Sequence, residues 1–290
     1  MGWFSILGRQ VRRMLLTALL GGLLGATLVR LGPGFGVDER ELNLQLSVES
    51  VAAVRQERAS ERDIPTFYWN YLRGLLHGDF GVSHSLNRPV AELLAERLPY
   101  TLKSLAVGGL GGTALGLALA VFTIFRRVAV LDLLASGASG LCLSLPSAAI
   151  ALIFLWLGWN GRWAIALVVF PHVYRYAKNV LVSVERLPHV LQAQAKGIGR
   201  GRLVWAHVLR PAAPELAAVA GIAVTLAFGA SIPVEVVCDM PGIGQLAWQA
   251  ALGRDLPVVV NITMLVALMT LAVNGAADLA LATRASGDSR

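Results

Sequence analysis

The residues best equipped for metal or nucleophilic chemistry are five histidines (His77, His84, His172, His189, His207) and two cysteines (Cys142, Cys238). Their spacing supplies neither. No histidine pair has the His-Glu-x-x-His arrangement that puts two zinc ligands on one helix face, and no Gly-x-Ser-x-Gly elbow presents a nucleophile. Gly197, Gly199 and Gly201 alternate as in a phosphate-binding turn. They lack the preceding strand and the Lys-Ser/Thr that would hold a nucleotide. The two thiols sit apart in apolar stretches, which suits neither a disulfide nor a metal site. His77 and His84 could serve as nickel ligands in an outer loop, with plain solvation as the alternative. The expectation is a non-catalytic chain that binds no metal and no cofactor of its own.

What stands out instead is residues 192–210, QAQAKGIGRGRLVWAHVLR, the longest polar interruption in an apolar second half. Pro188 can open a short helix through Ala195 and Lys196, since a proline at the first helical position forfeits no hydrogen bond. Gly197, Gly199 and Gly201 interrupt it, and a second helix resumes near Arg202. The small side chains of Ala193 and Ala195 suit entry into a groove on a partner. An ordinary basic cytoplasmic loop is the alternative. Glu235 and Asp278 lie in or near apolar runs, where ionisable groups are costly. Glu235 either lines a pathway or ties helices together, and Pro233 is expected to break the helix beside it. Asp278 suits a structural place at the interface.

These residues must be positioned by membrane helices. The 290 residues are 56% hydrophobic and 15% charged, where a soluble domain carries roughly a quarter charged residues. Apolar runs near the ~20 residues that span a bilayer recur at 14–29, 102–125, 128–157 (kinked at Pro146), 163–174, 216–237 and 257–281. The fold class expected is an all-α membrane protein with six transmembrane helices and both termini cytoplasmic. Arg9, Arg12 and Arg13 precede the first run without a small-x-small site after it, so it reads as a span and not a cleaved signal. The fourth run is short, and topology decides it. Without it, the loop carrying seven bases and one acid between residues 175 and 210 would face outside, against the positive-inside rule. That rule also accounts for the formal charge of +7 better than nucleic-acid binding does.

The domains expected are 1–31, an N-terminal segment with the first span; 32–99, an extracytoplasmic region with short amphipathic helices; and 100–290, a five-helix core with a cytoplasmic loop at 185–214. The outer region is acidic, and Tyr68, Tyr71, Leu72 and Leu75 recur at helical spacing. That helix would lie at the membrane interface or pack on the rest of the outer region. Glycines in the second run should let neighbouring helices approach closely.

Ala193-Gln194-Ala195-Lys196-Gly197, then nine residues, then His207-Val208-Leu209-Arg210, resembles the "EAA" loop of ABC importer permeases. The form is that of the dipeptide/oligopeptide/nickel branch. Gly78-Asp79-Phe80-Gly81-Val82-Ser83 with Pro89-Val90, and Arg97-Leu98-Pro99 with Thr101-Leu102, are similar to that branch's outer region. Glu235, Pro241-Gly242-Ile243-Gly244-Gln245-Leu246 and Arg254-Asp255-Leu256-Pro257 resemble the stretch joining its last two spans, and Asn274 and Asp278 its final helix. Four motifs occur in the right order. Pro211 stands where the family usually has Asn, Pro214 sits one residue early, and Cys238 replaces a usual aromatic.

The resemblance implies a type I importer permease in the bacterial inner membrane. Gln192, Ala193, Ala195, Lys196, Gly197, His207 and Arg210 would dock on an ATPase, and Glu235, Pro241, Gly242, Gly244 and Asp278 would line a pathway or gate. It implies two ABC ATPase subunits carrying ATP and Mg, a second permease chain, most simply a paralogue, an extracytoplasmic solute-binding protein, and contact with lipid but not nucleic acid. Peptides are the solute it implies first, with nickel or metal chelates as the other branch. The competing class is a stand-alone carrier or channel, which has no use for such a loop.

Overall fold

Glycine at every fourth position lets two apolar helices meet backbone to backbone, and Gly108, Gly112 and Gly116 supply that pattern. The computed structural model describes residues 73–75, 77–126 and 128–285, with residues 8, 12, 16, 19–24, 27 and 69 before them. At 273–274 and 276–285 it describes the backbone only. In chain order the helices are α1 (Val90–Arg126), α2 (Ala129–Ser144), α3 (Ser147–Trp156), α4 (Gly161–Glu185), α5 (Pro188–Ala195), α6 (Arg200–Val237), α7 (Ile243–Leu252) and α8 (Leu256–Ala285). The described residues form no strand beyond a single Val82–Pro89 bridge.

A Cβ on Gly108, Gly112 or Gly116 would lie 2.5 Å from the carbonyl oxygen of Arg162, 2.6 Å from that of Ala166 and 2.8 Å from that of Phe170, respectively. Four-residue steps ascend together in both helices, so α1 and α4 run in the same direction. α2 and α3 therefore bring the chain back between them. α1 includes a π-helical stretch, Leu105–Leu110, that contains Gly108. Around this seam, α3, α4 and α6 bury Ile150, Ile165, Val169, Val219, Ala227 and Val234.

Several expectations change. Pro146 does more than kink a span: it parts α2 from α3 with a bend of 99°. Leu145 before it is extended, the conformation a following proline imposes. Pro233 does not break α6, which is helical from Arg210 through Val237. The short fourth run is part of a 25-residue helix, started by the Asn160 side chain accepting from the Arg162 N–H. The second run extends back to Val90 as the single helix α1. The second loop helix starts at Arg200 and is continuous with the fifth run as α6, and the outer loop after Gly242 contains α7. α1 and α6 are each long and apolar enough to cross a membrane, with α2 and α3 a third if they are one broken span. Tyr68, Tyr71 and Leu72 of the aromatic helix and half of the first run lie outside the described residues, while Leu75 is helical.

The chain divides into two compact units, Met1–Leu98 with Leu246–Met269 and Pro99–Gln245 with Thr270–Arg290. The first is held by a polar clamp. Asp255 is fully buried; its Oδ2 accepts from the hydroxyls of Ser83 at 2.6 Å and Ser85 at 2.7 Å and from the Ser85 N–H at 3.0 Å. Burial alone would push this carboxyl up, but the Ser83 and Ser85 donors outweigh it and hold it below the usual range. Asn261 Nδ2 donates to the carbonyls of Phe80 and Pro257 at 2.8 and 2.7 Å. Two stretches that carried the resemblance, at 78–83 and 254–257, are thus bonded to one another.

Candidate functional site

The 188–210 stretch folds as helix, left-handed glycine, helix. Pro188 occupies the first turn of α5 after an extended Leu187. At the other end, the N–H of Gly197 donates to Gln194 O at 2.9 Å and that of Ile198 to Ala193 O at 3.3 Å. Gly197 has φ +73°, the left-handed residue this Schellman closure requires. Ile198 then packs on the cluster that buries Val190 and Ala193 with Ile124, Tyr174, Leu181 and Leu203. One face of α5 is therefore inside its own chain. Gln192, Ala195, Lys196 and Gly197 remain exposed on the other, beside a half-exposed Leu191.

Straps fix this unit to the spans. Pro211 has no N–H to bond back to the His207 carbonyl. His189 Nε2, protonated there, fills that gap by donating to His207 O at 3.2 Å. Arg200, the first residue of α6, donates through Nη2 to Ile124 O at 2.6 Å and through Nε to Phe125 O at 2.7 Å. Both carbonyls belong to the last turn of α1, whose acceptors have no partner within the helix. Glu185, at the end of α4, lies 3.8 Å from the same guanidinium. Nearby, Lys178 of α4 pairs with Asp132 of α2. An open cleft of about 240 Å³ runs between them, lined by Thr123, Asp132, Lys178, Val182 and Glu185.

At its far end α6 carries a second polar knot. Glu235 is fully buried. Its Oε1 accepts from the Thr101 hydroxyl at 2.8 Å and its Oε2 from the Gly244 N–H at 2.7 Å. Thr101 Oγ1 in turn accepts from the Ile243 N–H at 2.8 Å. Glu235 and Thr101 together satisfy N–H groups at the start of α7, where the helix dipole favours a carboxylate. The turn between them leaves no room: a Cβ on Gly242 would lie 2.2 Å from Glu235 Oε2, and one on Gly244 2.6 Å from Ile232 Cα.

A family model described as binding-protein-dependent transport system inner membrane component matches residues 112–282. The chain belongs to that family. It is thus a multi-pass inner-membrane component of a transport system. It is 28% identical over 261 residues to the oligopeptide transport system permease protein OppB of Escherichia coli (strain K12), covering 82% of this chain and 84% of that one. It is 27% identical over 260 residues to a protein of Brucella suis biovar 1 provisionally named as a peptide transport system permease, covering 80% and 82%.

The structure brings the sequence-derived residues into two groups. Gln192, Ala195, Lys196 and Gly197 share an exposed surface, while Ala193 turns inward. His207 and Arg210 lie one to three turns into α6, His207 half-buried and Arg210 exposed. Glu235, Gly242 and Gly244 form the second knot, with Pro241 exposed at its rim. The side chains of Asn274 and Asp278 lie outside the described residues. Thr101, Arg200, Ser83 and Ser85 carried no role in the sequence reading. Thr101 and Ser83 stood within resembling motifs; Arg200 and Ser85 gave no local signal.

Proposed function

We propose that the chain is a non-catalytic transmembrane subunit of an ATP-driven importer, passing the motion of partner ATPases to a bundle that alternates between inward- and outward-facing states. In this reading the chain has six spans with both termini cytoplasmic. The loop at 185–214 lies on the cytoplasmic side and docks on one of two ATPase subunits, which hold ATP and Mg. The spans pair with a second, similar permease chain, and an extracytoplasmic solute-binding protein delivers the cargo. Segment 32–99 is the extracytoplasmic region and 100–290 the core. Glu235, Gly242 and Gly244, with Pro241 and Asp278, hold or gate the pathway. Peptides are the cargo that the names of the similar proteins favour.

One observation carries this reading: a short rigid helix, closed by Gly197 and strapped to three spans, presents a small-residue polar surface away from its own core. Coupling needs an element whose contacts differ between two states, and a docked rigid helix provides one. The test is reconstitution in proteoliposomes with partner subunits and binding protein. Gly197→Val, forcing a β-branched residue into the left-handed region, should abolish solute-stimulated ATP hydrolysis, whereas Gly197→Asn, which tolerates that region, should retain most of it. Full stimulation in the valine variant would overturn the docking role.

A further inference from the structure

We infer that Arg200 is the strut through which the coupling helix grips the end of α1, and so a positioning residue for energy transfer. The inference rests on the proposed function and adds to it a residue outside the resembling motifs.

The argument starts from the end of α1. A helix leaves its last four carbonyls without partners, and the negative end of its dipole favours a cation there. The cation could come from α1 itself, and Arg126 stands in its last turn. Yet Arg126 lies over the Phe122 ring, 5.7 Å from its centroid. The carbonyls of Ile124 and Phe125 are instead taken by Arg200, from an element 75 residues further along the chain. The planar guanidinium meets two adjacent acceptors with two donors, a grip a single ammonium cannot reproduce.

The same segment is held from its apolar side. Ile124 is buried with Val190 and Ala193 of α5 and Leu203 of α6. Glu185, at the end of α4, lies 3.8 Å from the guanidinium and adds its charge there. A displacement of the loop that joins α5 to the start of α6 therefore moves the last turn of α1 through the charged fork of Arg200 and the apolar contact of α5 at once. Without the fork only the apolar contact remains, and apolar surfaces slide.

The experiment compares Arg200→Met, Arg200→Lys and wild type in the reconstituted complex, reading assembled complex, ATP hydrolysis and solute moved per ATP. In the methionine variant the complex should assemble at the wild-type level and hydrolyse ATP. Solute moved per ATP should fall about tenfold, within the range of measured coupling between sites. Lysine, keeping the charge but not the fork, should fall between the two. A second arm replaces Cys142 and Cys238 by alanine and introduces Arg200→Cys with Phe125→Cys. A bifunctional thiol reagent of arginine's length should restore the ratio and its cleavage remove it again. An unchanged ratio in Arg200→Met, or a loss of transport matched by an equal loss of assembled complex, would overturn the strut. If wild type itself shows no solute-stimulated hydrolysis, the proposed function fails first and the strut falls with it.

Discussion

Replacing Gly242 by alanine would set a Cβ 2.2 Å from the Glu235 carboxylate, and the atom it meets is held on both oxygens. The carboxylate cannot swing aside without releasing Thr101 and the start of α7. Gly242→Ala should therefore destabilise the subunit by about 1–3 kcal/mol, the usual cost of overpacking. Glu235→Gln keeps the shape and one acceptor, so it should be milder than Glu235→Ala, which leaves the Thr101 and Gly244 donors buried and unpaired. Thermal denaturation in detergent, followed by tryptophan fluorescence, ranks the three; a Gly242→Ala protein as stable as wild type would contradict the knot. At this scale the sequence was unevenly legible. Gly197 could be read because a glycine closing a helix has a local signature. Thr101 and Arg200 could not, because their partners lie 134 and 75 residues away.

The helix pair α1–α4 depends on the absence of side chains. At Gly112 a Cβ would press 2.6 Å from a backbone oxygen that cannot move independently. At Gly140 on α2 nothing lies within 4 Å. Gly112→Ala should thus lower folded yield and melting temperature, while Gly140→Ala should leave both unchanged or raise them slightly, since alanine restricts the unfolded chain. Equal effects would mean that the stripe is not what holds the pair. The stripe was readable from its four-residue period. The joints were not: Pro146 and Pro233 look alike in sequence, and the difference lies in their surroundings. An extended Leu145 ends one helix at Pro146, whereas the helix holding Pro233 continues through Val237.

For the whole molecule, the apolar runs announced a membrane protein and the motif order announced its family. The lengths of the helices were less legible, because α1, α4 and α6 each continue through polar or proline-bearing segments that hydropathy treats as ends. The proposed orientation has a direct test. With Cys142 and Cys238 replaced by alanine, a cysteine at Lys196 should react with a membrane-impermeant thiol reagent only from the cytoplasmic side. One at Ser85 should react only from the outside. The reverse pattern, or labelling of both from one side, would overturn the six-span arrangement.

The continuity of α6 has a mechanical consequence. Its 38 residues run roughly 57 Å at 1.5 Å per residue, with the Arg200 grip at one tip, the Glu235 knot at the other and a π-helical stretch, Leu203–Leu209, near the first. In the proposed reading, a twist applied in the cytosol is carried along this one helix toward the turn where Gly242 and Gly244 leave a carboxylate no slack.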